Sequence, residues 1–250
     1  MPEVTKYDHG VPSWVDLVTR DLDAGLRFYT ELFRWDASDQ GEEAGHYVIA
    51  TRDGRTIAGL SALEEDSGPP RWTTYIDVDD AESAAHRVEA AGGKVLAGPL
   101  DVMGEGRMAV LADTTGAAFA VWQPQRHMGA QLVNEPGTLI WNELATSDLS
   151  GARAFYTAVF GWGWSGSDDY AEFQVGGRTV GAVMPRPAGL PADVPDHWLV
   201  YFATADLDAD LSTAGGLGAS TLSGPTDIPG AGRFAVLSDP QGAVFALFQP

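Results

Sequence analysis

The stretch WVDLVTRDLDAGLRFYTELFRW, residues 14–35, decides the fold, because the chain contains a second version of it. The counterpart is WNELATSDLSGARAFYTAVFGW, residues 141–162, which keeps both terminal tryptophans and the central Phe-Tyr-Thr. Downstream, GRTIAG (54–59) aligns with GRTVGA (177–182), and from Trp72 onward each position aligns with the one 126 residues later. A repeat this long predicts a duplicated domain.

The repeat sets the domain boundaries. We predict a first domain over residues 1–124 and a second over residues 138–250. Between them, residues 125–137 read QRHMGAQLVNEPG, where polar residues, Gly and Pro replace the periodic pattern. Such a composition predicts a linker.

Each copy also divides into two similar units. In the first copy, a strand ends near Asp21, which is placed to cap a helix whose apolar face carries Leu22, Leu26, Tyr29 and Phe33. Short strand-like runs follow, and Asp53-Gly54 predicts a hairpin between two of them. WTTYIDV (72–78) then starts a second strand, helix and three-strand series. We therefore predict an α+β fold of tandem duplicated domains, each made of two βαβββ units.

Composition excludes several classes of partner. The formal net charge of −20 repels phosphate backbones and anionic lipids, so we expect no nucleic-acid or membrane partner. The chain has no cysteine, which rules out disulfides and thiolate chemistry. No signal peptide or membrane-length apolar run is present, and we expect a cytoplasmic location.

The repeated pattern resembles the vicinal oxygen chelate superfamily, which includes glyoxalase I, bleomycin-resistance proteins and extradiol dioxygenases. The resemblance rests on the capping Asp148, Phe155-Tyr156, Phe160-Gly161-Trp162 and the terminal Asp-Pro-x-Gly turn at 239–242. Within the superfamily it is most similar to a two-domain actinobacterial branch related to a mycobacterial antigen. It implies curved mixed sheets that enclose a cleft in which ligands bind.

The same resemblance implies where metal ligands would stand. In metal-using members they lie seven residues before each helix-capping Asp and seven after the Asp of the last turn. These positions hold Trp14, Thr73 and Ala120 in the first copy and Trp141, Leu199 and Ala246 in the second. Indole, methyl and isobutyl groups do not ligate divalent metals. We therefore expect no metal and no cofactor, which counts against the metal-dependent activities of the superfamily.

Polar groups remain on the predicted cleft strands. Alternation puts Asp16 on the face of Trp14, and Glu143 on the face of Trp141. One interpretation of each carboxylate is a buried acid that hydrogen-bonds a ligand or acts as a general base. The other, which is favoured, is a carboxylate that faces solvent at the sheet edge or pairs with Arg107 or Arg233.

Tyrosines and larger aromatic residues complete the candidate set. The equivalent Tyr75 and Tyr201 either donate a proton or hydrogen bond to a ligand or simply pack, with packing favoured. Asp16, Glu143, Tyr75 and Tyr201 are the catalytic candidates. Six aromatic residues near the cleft strands can stack on a flat ligand or fill the cavity: Trp14, Trp72, Trp122, Trp141, Trp198 and Phe248. The ligand-binding candidates are Trp14, Thr73, Trp122, Trp141 and Phe248.

Two functions follow as hypotheses. The first is metal-independent binding of an apolar or aromatic small molecule, for antibiotic sequestration or an accessory role in secondary metabolism. The alternative is a glyoxalase-like lyase or isomerase that uses the acid–base candidates or an unrecognised metal site. Thr73 and Asp77, against Leu199 and Ala203, predict that the more polar first cleft is the working one. We expect a monomer or homodimer, and the pattern does not indicate whether units pair within or across copies.

Overall fold

The computed structural model describes residues 3–64 and 68–250 and contains the predicted duplication. The first copy comprises β1 (Pro12–Thr19), α1 (Leu22–Phe33), β2 (Asp36–Asp39), β3 (Val48–Arg52), β4 (Arg55–Ala62), β5 (Arg71–Asp77), α2 (Ala81–Ala90), β6 (Lys94–Asp101), β7 (Gly106–Ala112) and β8 (Ala118–Pro124). The second comprises β9 (Leu139–Thr146), α3 (Leu149–Phe160), β10 (Gly163–Gly166), β11 (Ala171–Val175), β12 (Arg178–Pro185), β13 (His197–Ala203), α4 (Leu207–Gly216), β14 (Ser220–Ile228), β15 (Gly232–Ser238) and β16 (Val244–Gln249). Each copy is thus two βαβββ units, which confirms the predicted fold class.

Both units of a copy share one eight-stranded mixed sheet. The first sheet has the order β2-β3-β4-β1-β5-β8-β7-β6, and the second repeats it as β10-β11-β12-β9-β13-β16-β15-β14. β1 runs parallel to β4 and antiparallel to β5, so the first strands of the two units lie side by side at the centre. The units therefore pair within each copy, which answers the question that the sequence left open.

Aspartates start the helices, as the sequence predicted. The side chain of Asp21 accepts a hydrogen bond from the backbone N–H of Ala24, and that of Asp148 accepts one from Gly151. These bonds satisfy amide groups that have no partner inside a helix. No described helix is long and apolar enough to cross a bilayer.

Two hydrophobic cores join the copies. One packs α1, β1 and β4 of the first copy against α4, β13 and β16 of the second. The other packs α2 and β8 against α3, β9 and β11. Each core therefore combines one unit from each copy, and the helices of neither copy are buried by that copy alone.

Buried polar chains cross between the copies. The Tyr29 hydroxyl donates to Asp239 Oδ2 at 3.1 Å and accepts a hydrogen bond from the Trp72 indole at 2.9 Å. Tyr156, Asp113 and Trp198 repeat this chain with the copies exchanged. Trp72 and Trp198, which the sequence grouped with the cleft aromatics, therefore lie in the cores and not in a ligand site.

The segment that precedes each copy crosses to the other copy. The Trp35 indole donates to the Gly137 carbonyl at 2.7 Å, and the Trp162 indole donates to the Gly10 carbonyl at 2.8 Å. We call residues 3–11 the N-terminal arm and residues 125–137 the linker arm. The linker arm is therefore not a free tether, because it is bound along the first copy.

Candidate functional site

Strand alternation sorts the side chains of β1 between the core and the opposite face of the sheet. Val15 and Leu17 lie in a core, so Trp14 and Asp16 lie on the other face, which we call the cleft face. The register across the first sheet places Trp14 beside Tyr75, Asp16 beside Thr73, and Tyr75 beside Ala120. The five candidates of the first copy, Trp14, Asp16, Thr73, Tyr75 and Trp122, therefore gather in one cleft.

Asp16 is the centre of the first cleft. Its Oδ2 accepts a hydrogen bond from the Tyr75 hydroxyl at 2.7 Å, and the nearby hydroxyl groups of Thr73 and Tyr47 also favour the ionised carboxyl group. The Trp14 indole in turn donates to the Tyr47 hydroxyl at 3.0 Å. Asp16 is 6% exposed, and burial raises its pKa to about 6 although these bonds favour the ionised form.

This burial excludes the surface ion pair that the sequence favoured. Arg107 pairs with Glu82, and Arg233 pairs with Asp208 and Asp227. Neither arginine therefore neutralises a cleft carboxylate. The predicted pairing was wrong because each arginine lies beside the first turn of the helix in its own unit. Glu82 in α2 and Asp208 in α4 supply the partner carboxylates there.

Glu143 occupies the same place in the second cleft. Its Oε2 accepts a hydrogen bond from the Tyr170 hydroxyl at 3.3 Å, and the nearby Tyr201 hydroxyl also favours the ionised carboxyl group. Trp141 lies next to Tyr170, so the order of groups repeats that of the first cleft. Glu143 is 7% exposed, and burial raises its pKa to about 7. Near neutral pH this carboxyl group can both donate and accept a proton.

Tyr47 and Tyr170 are site residues that sequence reasoning missed. They directly precede β3 and β11 at equivalent positions. The alignment of GRTIAG with GRTVGA also aligns these two tyrosines, and this match could have identified them. A methyl group on Gly59 would lie 1.8 Å from the Tyr47 hydroxyl, so glycine lets this phenol rest against the sheet. Ala182 stands at the equivalent position of the second copy, and there Tyr170 is 39% exposed.

The linker arm closes the first cleft. The His127 ring meets the Trp14 ring edge-on, with 4.4 Å between centroids, and the Trp122 indole donates to the His127 carbonyl at 2.8 Å. Ala130 is buried in the same apolar cluster. Trp14 and Trp122 are consequently almost fully buried, and burial lowers the pKa of His127.

The second cleft is more open. Trp141 and Phe248 are only half-buried, whereas their counterparts in the first cleft are buried. Phe234 lies beside Phe248 on the neighbouring strand, with its ring centroid 6.2 Å from that of Tyr201. Aromatic surface therefore remains available to a ligand around Glu143.

The donor sets of the two clefts do not fit a divalent metal. The positions expected to ligate hold Trp14, Thr73 and Ala120, and the second copy holds Trp141, Leu199 and Ala246 on the same strands. Within residues 3–64 and 68–250, no group of three or more His, Asp or Glu is arranged to hold a metal ion. Each cleft offers one carboxylate with two tyrosines, to which the first adds Thr73 and the His127 ring, and neither set combines the two or three imidazole or carboxylate donors of a stable site.

Comparison with known proteins identifies the family. Residues 11–121 and 125–247 each match the model of the Glyoxalase/Bleomycin resistance protein/Dioxygenase superfamily, so the chain belongs to it. The putative glyoxylase CFP32 of Mycobacterium tuberculosis is 43% identical over 260 residues, covering 100% of this chain and 98% of that protein. The anthracycline biosynthesis protein DnrV of Streptomyces peucetius is 38% identical over 268 residues, covering 98% and 95%. Both come from actinobacteria, as the resemblance implied.

Solved structures share the fold at low identity. The Mn(II)-bound glyoxalase from Novosphingobium aromaticivorans aligns with a TM-score of 0.66 at 20% identity, covering 97% of this chain and 83% of that one. The 2,3-dioxygenase LapB from Pseudomonas sp. KL28 aligns with a TM-score of 0.67 at 14% identity, covering 97% and 93%. At such identities the likeness concerns the fold alone.

Proposed function

We propose that this superfamily member binds an apolar or aromatic small molecule in its second cleft, without a metal. The observation that carries the proposal is that the half-buried Trp141 and Phe248 and the exposed Tyr170 share the cleft face with the buried Glu143. Apolar and aromatic surface with a few convergent polar groups is the usual lining of a small-molecule site. The role we favour is sequestration of an antibiotic or assistance in secondary metabolism.

The choice of the second cleft reverses the sequence-based expectation. Thr73 and Asp77 do make the first cleft more polar, but His127 covers its aromatic wall and Asp77 is buried. A ligand in the first cleft would have to displace the linker arm, whereas the second cleft already presents its rings. Accessibility therefore outweighs polarity here.

Polar recognition would come from Glu143 and its tyrosines. A carboxyl group with a pKa near 7 offers a ligand hydroxyl an acceptor when ionised and a ligand carbonyl a donor when protonated. The exposed Tyr170 hydroxyl adds a second polar group at the mouth. Relatives named as anthracycline biosynthesis proteins support a role in secondary metabolism, although their name does not identify this chain's ligand.

Isothermal titration with a panel of fused-ring aromatic compounds tests the proposal. We expect Trp141→Ala to weaken the best binder by about 5- to 100-fold, since aromatic contacts of this kind contribute about 1–3 kcal/mol. Trp14→Ala, the matched change in the closed cleft, should leave the affinity within about two-fold. Equal losses in both variants would place the ligand elsewhere, and a panel without any binder would refute the binding role.

An enzymatic function is the second candidate. It rests on Glu143, because a buried carboxylate of pKa about 7 within hydrogen-bonding distance of Tyr170 is suited to general base catalysis. We would measure glyoxalase-like turnover of the methylglyoxal–thiol adduct on protein purified without added metal. Loss of turnover in Glu143→Gln but not in Asp16→Asn would favour a lyase or isomerase. Turnover that needs added metal would instead contradict metal independence.

A further inference from the structure

A cavity of about 360 Å³ lies between the N-terminal arm and the second copy. Ile140, Trp141 and Thr179 line it from the second copy, and Lys6 and Tyr7 line it from the N-terminal arm. Val133 and Asn134 of the linker arm also reach it. Trp141 also contacts Tyr170 of the Glu143 network, so the cavity and the second cleft share this residue. The proposed binding function does not account for this space.

The equivalent place in the first copy is filled by backbone. There the Ala130 amide donates to the Ser13 carbonyl at 2.8 Å, and the Gln131 amide donates to the Thr56 carbonyl at 2.9 Å. Ser13 and Thr56 correspond to Ile140 and Thr179, both of which line the cavity. Val4, the counterpart of Gln131, instead donates its amide to the carbonyl of Gln131 itself. The N-terminal arm is thereby held away from the second sheet, and the cavity is the space left between them.

The two arms also differ in chemistry at this place. The linker arm has an apolar residue at this place, Val133, which packs against the aromatic cluster of the first cleft. The corresponding residue of the N-terminal arm is Lys6, which is exposed at the edge of the cavity. Lys6 forms no ion pair with any described residue. A second cation, Arg178, lines the cavity but is paired with Asp8 at 2.9 Å.

Charge makes this arrangement selective. The chain has 15 Lys and Arg against 35 Asp and Glu, yet two cations and one anion line this cavity. The charge of Lys6 also acts on Asp77, a carboxyl group that is buried and does not line the cavity. An ammonium at the edge of a cavity with mixed apolar and polar walls attracts an anionic group on an apolar body.

We propose that this cavity holds the acidic end of an elongated aromatic ligand, with Lys6 contacting its carboxylate and Trp141 contacting its ring. The inference rests on the proposed binding function and adds the class of ligand, namely an aromatic acid. It also assigns the N-terminal arm of the first copy to the ligand site of the second.

Titrations with 2-naphthoate and its neutral analogue 2-naphthamide test the inference. We expect the protein to bind naphthoate about five-fold more tightly, the scale of one solvent-exposed ion pair. Lys6→Gln should abolish this preference and leave the affinity for naphthamide unchanged. Lys94→Gln, which removes one positive charge on the exposed edge strand β6, should keep the preference and serves as the charge-matched control.

The outcomes separate the two proposals. Equal affinity for the two compounds, or a preference that survives Lys6→Gln, overturns the assignment of the cavity but leaves ring binding standing. If neither compound binds the unaltered protein while another member of the aromatic panel does, the assignment of the cavity is overturned and ring binding stands; if no member of the panel binds, both proposals are overturned. Lys6 and Lys94 are exposed, so both variants should fold, and their urea unfolding curves provide the check.

Discussion

Glu143→Gln should change how stability depends on pH. Burial raises the pKa of Glu143 from the usual 4.5 to about 7. Between these values the unfolded chain has released the proton while the folded chain still holds it. The free energy of unfolding therefore falls as pH rises from 4.5 to 7, and the contribution is fully present only below this window.

The magnitude follows from the size of the shift. One pKa unit corresponds to about 1.4 kcal/mol, so the full shift corresponds to about 3 kcal/mol, most of which falls between pH 5 and 8. Glutamine keeps the shape and can accept the tyrosine hydrogen bonds, but it does not ionise. Relative to the unaltered protein, the variant should gain about 2–3 kcal/mol over this range.

Urea unfolding followed by tryptophan fluorescence at pH 5, 6, 7 and 8 measures the difference. Because the cores join both copies, a single cooperative transition is expected. Asp16→Asn is the matched control. The pKa of Asp16 is raised only to about 6, so most of the pH-dependent loss of stability that Asp16 causes should already have occurred by pH 6. A Glu143→Gln difference that stays constant from pH 5 to 8 would refute the raised pKa and, with it, the acid–base role.

Three further changes test other parts of the structure. Tyr29→Phe should lower the free energy of unfolding by about 1–3 kcal/mol, because the buried carboxylate of Asp239 loses a hydrogen-bond donor. Urea unfolding measures this change, and an unchanged midpoint would contradict a structural role for the buried hydrogen bonds. Gly59→Ala should displace Tyr47 and lower the free energy of unfolding by about 1–3 kcal/mol, measured in the same way. A value within about 0.3 kcal/mol of the original would show that the Tyr47 phenol does not pack against Gly59. His127→Ala should uncover the first cleft and increase acrylamide quenching of tryptophan fluorescence; unchanged quenching would mean that the linker arm does not form the cover.

Local patterns were sufficient for the fold and for much of the site. The offset between the two copies, the capping aspartates and the alternation along β1 predicted the units and placed Trp14 with Asp16. These features depend on residues close in sequence, where side-chain direction follows from element type. The aligned position of Glu143 then followed from the repeat.

What the sequence did not reveal depends on distant contacts. Arg107, the expected partner of Asp16, pairs with Glu82 instead. The periodicity of the sequence carries no information about which of two carboxylates an arginine will pair with. The composition of residues 125–137 predicted a linker, whereas backbone hydrogen bonds to Ser13 and Thr56 hold this segment against the first copy. Tyr47 lies outside a regular element, so no strand pattern singled it out.

The crossing arms give two similarly folded domains separate routes to diverge. His127 and Ala130 cover the first cleft, while Lys6 and Asp8 border the cavity beside the second. A substitution in one arm can therefore alter one chamber without touching the strands that both copies need for folding. Duplication here has separated the part of the chain that builds a binding chamber from the part that decides whether it is open.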